Sequence, residues 1–134
     1  MDRRLPLAVG LDTFSIVLFV ALGRRNHDGD TGFVGVLETA APFLIGLAVG
    51  WFVWRAWRRP ALIRTGLAIW PVTLLVGMIV RRTLFDAGTA TSFVIVATLF
   101  VGAFLVGWRA IVRAVDLRRH PRTLATLTQP SRGR

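Results

Sequence analysis

Apolar residues in this chain fall into four long runs, Leu5–Leu22, Phe33–Trp54, Leu62–Val80 and Phe93–Val112, separated by short polar segments. An α-helix rises ~1.5 Å per residue, so a run of about 20 residues covers the ~30 Å hydrocarbon core of a bilayer. The pattern predicts an all-α protein: an integral membrane four-helix bundle, with residues 1–119 as one transmembrane domain. After four such helices, too few of the 134 residues remain for a soluble domain. The first run follows Met1-Asp2-Arg3-Arg4, as a signal peptide would. It is long, however, contains Asp12 and leads into Gly23-Arg24-Arg25 instead of a small-x-small cleavage site, so it is read as the first span.

Composition supports this reading, with 54% hydrophobic residues and a mean hydropathy of +0.59. The absence of cysteine excludes disulfides, thiol catalysis and thiolate metal sites. The net charge of +10 would suggest nucleic acid in a soluble chain. Here the arginines border the spans, and topology accounts for them better. Thirteen lie on the side of the two termini, against Arg24, Arg25, Arg81 and Arg82 on the other. The positive-inside rule then predicts an inner-membrane protein with both termini cytoplasmic, and Trp54, Trp57 and Trp108 are expected as an aromatic belt at that boundary. So strong a bias also sets the chain apart from the dual-oriented four-helix exporters and fluoride channels that insert as antiparallel dimers.

Beyond Val112, residues 113–119 are expected to prolong the last helix into the headgroups until Pro121 stops it. Residues 120–134 read as a basic, disordered cytoplasmic tail. The expected partners are membrane lipids, with anionic lipid at the cytoplasmic face, each arginine near the surface contributing ~1 kcal/mol. A homo-oligomer or a larger membrane assembly is left open. Nucleic acid is not expected, since no aromatic residues interleave with the tail's charges.

Shifting the chain against itself by 57 residues aligns Arg24-Arg25 with Arg81-Arg82 and Val49-Gly50-Trp51 with Val106-Gly107-Trp108. Two readings stand side by side. Either the chain holds two parallel helical-hairpin repeats related by an axis along the membrane normal, or arginine and tryptophan simply gather at membrane boundaries. Small residues suggest the packing faces: Gly46 with Gly50, Gly77 with Thr73, and Ala103 with Gly107, spaced so that backbones approach closely. Pro42 and Pro71 are expected to kink their helices.

Ionisable residues inside spans are the strongest pointer to a site, because an aspartate at mid-helix costs ~2.5–3.5 kcal/mol. Asp12 should therefore face the bundle interior. Glu38 lies nearer the outer surface, where Arg24, Arg25, His27, Arg81 and Arg82 gather with Asp28, Asp30 and Asp86. In a transport reading Asp12 and Glu38 carry protons or cations, or the arginines receive an anion. In a structural reading Asp12 is hydrogen-bonded while protonated or ion-paired, with Arg81 as expected partner, and Glu38 pairs with Arg24 or Arg81. No acid-base pair, nucleophile or metal-ligand cluster stands out, so neither catalysis nor a cofactor is expected.

The elements Asp12, Gly23-Arg24-Arg25-Asn26-His27, Pro42-Phe43-Leu44-Ile45-Gly46, Gly50-Trp51, Gly77-Met78-Ile79-Val80-Arg81, Ser92-Phe93-Val94-Ile95-Val96 and Gly107-Trp108-Arg109 span most of the chain. With them the chain resembles a family of small prokaryotic four-helix membrane proteins catalogued as a domain of unknown function. The resemblance implies the four-helix fold and nominates Asp12, Arg24, His27, Arg81 and Arg109. It implies no activity, substrate or cofactor.

Overall fold

The computed structural model describes residues 3–25, 32–86 and 90–119. Four helices make up the bundle: α1 (Leu5–Arg25), α2 (Phe33–Val53), α3 (Ile63–Thr83) and α4 (Thr91–Arg119). The first three have 21 residues each, about 31 Å of helix, which matches the hydrocarbon core. All four are long and apolar enough to span a membrane. At 29 residues, α4 is about 43 Å long and continues past the apolar run to Arg119. His120 and the rest of the tail lie outside the described residues, as does His27.

Each helix packs against its neighbours in sequence, and α1 closes the ring against α4. The short connections make the helices alternate in direction. We call the end where α1 begins and α4 finishes the base, and the opposite end the crown. Between α2 and α3 the chain turns at the base through Arg55, whose φ of 49° is left-handed and uncommon for a residue with a side chain. A 3-10 turn, Ala56–Arg58, and the fully buried Pro60 complete the connection. Trp54 and Trp57 are exposed there, where an aromatic belt would lie. Pro42 and Pro71 each sit inside a continuous helix.

The α2–α3 contact is the most extensive in the bundle. It rests on glycine. A β-carbon at Gly46 would overlap the Thr73 carbonyl oxygen, one at Gly50 would lie 3.1 Å from the Ile69 side chain, and one at Gly77 would lie 2.6 Å from the Phe43 ring. In lipid no hydrophobic effect draws helices together, so such close approach supplies the dispersion contact that holds them.

The expectation for α4 needs correcting. Ala103 is exposed, and a β-carbon on Gly107 would meet nothing within 4 Å. The packing glycine of α4 is Gly102, one residue round the helix, where Trp70 of α3 fits its ring and donates its indole N–H to the Thr98 carbonyl at 3.0 Å.

Two layers fill the interior. Towards the crown, Phe19, Phe43, Phe93 and Phe100 from α1, α2 and α4 pack with ring centroids 5.5–6.3 Å apart. Such spacing favours tilted or edge-on aromatic contact. Towards the base lies a polar layer. Large apolar side chains such as Phe14, Val34, Phe52, Leu75 and Leu99 point outward. That surface is suited to acyl chains rather than to water.

Candidate functional site

The polar layer is built from one buried stripe on each of the first and last helices. On α1 the buried positions include Ala8, Asp12, Ile16 and Phe19, and on α4 they include Ala97, Val101, Leu105 and Arg109. The spacing of three or four residues is the helical repeat, so each charge occupies a core position of its helix. Both side chains are 0% exposed.

Arg109 meets Asp12 end-on, through both terminal nitrogens. Its Nη1 donates to Asp12 Oδ1 at 2.8 Å and its Nη2 to Oδ2 at 2.7 Å. This two-pronged geometry is the strongest form of a carboxylate–guanidinium pair. The carboxylate accepts two more bonds: Trp108 Nε1 donates to Oδ1 at 2.8 Å and Trp51 Nε1 to Oδ2 at 3.0 Å. The guanidinium donates twice more, from Nε to the Pro60 carbonyl at 2.9 Å and from Nη1 to the Leu105 carbonyl. Its carbon also lies 4.4 Å from the centre of the Trp108 ring. Every oxygen of the acid is therefore bonded twice, as a buried charge requires.

All four helices reach this point. α1 gives Asp12, α2 gives Trp51 and α4 gives Trp108 and Arg109. α3 contributes an absence of side chain: a β-carbon at Gly66 would lie 2.9 Å from Arg109 Cδ and 2.8 Å from the Leu105 carbonyl oxygen. The bare backbone of Gly66 leaves the channel in which the arginine lies.

Of the nominated residues that are described, Asp12 and Arg109 come together and Arg24, Glu38 and Arg81 do not join them. Arg81, the expected partner of Asp12, is at the crown with its guanidinium 4.7 Å from the centre of the Phe93 ring. Arg24, also at the crown, donates from Nη1 to Thr39 Oγ1 at 2.9 Å. Glu38 is exposed and forms no hydrogen bond or ion pair among the described residues. Trp108, expected in the boundary belt, instead turns its N–H inward to Asp12. Sequence reasoning missed Trp51 and Pro60 as partners and Gly66 as the space-maker. The signal for Trp51 was present, since it and Trp108 are matched in the 57-residue shift.

Two cavities flank the bundle ends, and Asp12 lines neither. One of about 620 Å3 opens at the crown between Arg24, Thr39, Arg81 and Phe93. Another of about 570 Å3 lies at the base beside Arg4, Arg59, Arg113 and Asp116. Among the described residues no group of three or more histidines, aspartates or glutamates could hold a metal ion.

No curated protein matches the chain, and no solved structure does. The model of one family, described as Protein of unknown function (DUF3054), matches residues 9–112. That stretch holds every residue of the buried charge centre, and this four-helix membrane protein belongs to that family.

Proposed function

We propose that the chain is a structural or accessory bundle of the inner membrane, with both termini cytoplasmic, in which the charge centre fixes helix order and does not carry ions. One observation carries this reading: both oxygens of the completely buried Asp12 are fully engaged, by Arg109 and two indoles. A transported proton or cation needs a carboxylate that can exchange partners, and here any exchange would strand a buried guanidinium. The positive-inside bias supports the orientation.

The alternative is movement of a small ionic solute or protons. Its support is the crown cavity, where Arg24 and Arg81, equivalent in the 57-residue shift, line one space. Reconstituted vesicles distinguish the two readings. For a scaffold, Asp12→Asn unfolds the protein at lower denaturant and the wild type shows no pH-driven flux; a folded, stable Asp12→Asn protein that loses a flux present in the wild type supports the transporter. Orientation is tested separately: single cysteines at Asn26 and Ser131 should label from opposite sides, Ser131 from the cytoplasm.

A further inference from the structure

The base cavity has a chemistry of its own. Arg4 at the start of α1 is gripped by Asp116 of α4 through paired contacts of 2.7 and 2.9 Å. That bond closes one wall and balances one charge with another. Arg59, from the α2–α3 connection, and Arg113, from α4, line the same cavity, and both are exposed. Neither guanidinium has a hydrogen-bond or ion-pair partner among the described residues. The backbone of Arg59 is nevertheless pinned, its carbonyl accepting the Thr65 hydroxyl at 2.8 Å and the Leu62 N–H. Leu62 and Val112 supply an apolar flank to this about 570 Å3 space.

We infer that this cavity is a site for an anionic phospholipid, its phosphodiester held between Arg59 and Arg113 and its acyl chains descending past Leu62 and Val112. Charge argues for the anion: among the described lining residues three guanidiniums accompany one carboxylate, and Arg59 and Arg113 are the two beyond the Arg4–Asp116 pair. Position argues for a lipid over a free anion, because the site lies where the apolar spans end and its flank is hydrocarbon. Arginine is also the side chain best shaped to grip a phosphate with two parallel N–H bonds. The inference rests on the four spans, not on the accessory reading, and holds for either orientation.

Purified protein in neutral detergent would be titrated with phosphatidylglycerol, phosphatidylcholine and inorganic phosphate, and bound lipid counted by native mass spectrometry. We expect saturable binding of about one phosphatidylglycerol, little phosphatidylcholine, and no displacement by millimolar phosphate. Arg59→Gln with Arg113→Gln should weaken phosphatidylglycerol binding about tenfold or more, the order expected when two charge-assisted phosphate contacts are lost. Arg55→Gln with Arg118→Gln removes the same charge from the same end outside the cavity, takes away no phosphate contact, and at physiological salt should change binding less than about twofold. Equal losses in the two double variants would reduce the site to general surface attraction, and displacement by phosphate would make it a free-anion site; either overturns the proposal. Arg59→Lys with Arg113→Lys keeps the charge, so if the glutamine pair fails to fold, the lysine pair must still bind phosphatidylglycerol over phosphatidylcholine or the proposal fails.

Discussion

Trp51 and Trp108, 57 residues apart on different helices, donate their indole N–H groups to opposite oxygens of a single carboxylate, that of Asp12. The pair has matching roles on the two hairpins, but the charges between them do not repeat. The position matched to Asp12 is Ile69, and the position matched to Arg109 is Phe52. The acid and the base of the centre thus have no charged counterpart at the matched positions.

The indoles can be weighed directly. Trp51→Phe and Trp108→Phe each delete one bond to a buried anion while leaving the Arg109 fork in place, so each should cost about 1–2 kcal/mol. Reversible unfolding in mixed micelles would measure this. A cost near zero for both would mean that Arg109 alone satisfies the carboxylate.

Removing one member of the ion pair should do more damage. Asp12→Asn leaves a guanidinium buried without its counter-charge and should destabilise the bundle by about 3–5 kcal/mol. Combining Asp12→Leu with Arg109→Met removes both charges but leaves the two indoles without their acceptor, so it should recover part of the loss caused by Asp12→Leu alone, with a coupling above about 1 kcal/mol in a double-mutant cycle. Strict additivity would deny that the two residues act as a unit.

Glycines sort by what lies opposite them. Gly46→Ala and Gly66→Ala set a methyl group against backbone carbonyls of Thr73 and Leu105 and should each lower stability by about 1–3 kcal/mol. Gly107→Ala meets open space and should change stability by less than about 0.5 kcal/mol. Thermal unfolding in one detergent compares all three, and a large loss at Gly107 would place a helix contact there that the bundle lacks.

Thr73 is fully buried at the α2–α3 contact, and its hydroxyl has no hydrogen-bond partner among the described residues. Thr73→Val keeps the shape and removes a polar group from an apolar setting, so it should leave stability unchanged or raise it by about 1 kcal/mol. Clear destabilisation in the same unfolding assay would show that the hydroxyl is bonded.

The spans and the interior position of Asp12 were legible because hydrocarbon imposes both: helix length must match bilayer thickness, and a charge must face inward. Its partner was misread for a reason the sequence contained. Arg81 ends α3 as Arg24 ends the parallel α1, about twelve residues or ~18 Å of helix away from the level of Asp12. Arg109 was counted with the boundary arginines because the apolar run ends near it, although the expected continuation of the helix to Arg119 leaves it ten residues short of the helix end. Rotation about a helix axis was harder to read. Successive residues are ~100° apart, so Gly102 and Ala103 present different faces, and small-residue spacing alone does not choose between them. The role of Gly66 depends on a side chain that arrives from another helix, and no local pattern announces it.

The bond between Asp12 and Arg109 also has a direction in time. The acid is synthesised 97 residues before the base that neutralises it. During that interval α1 is held in the bilayer by its leucines, valines and phenylalanines against the ~2.5–3.5 kcal/mol cost of its aspartate. A chain that stops after α3 therefore retains an unmatched acid within the lipid, and only the arrival of α4 removes it. A molecule with α4 in place thus differs from one without it in having Asp12 paired.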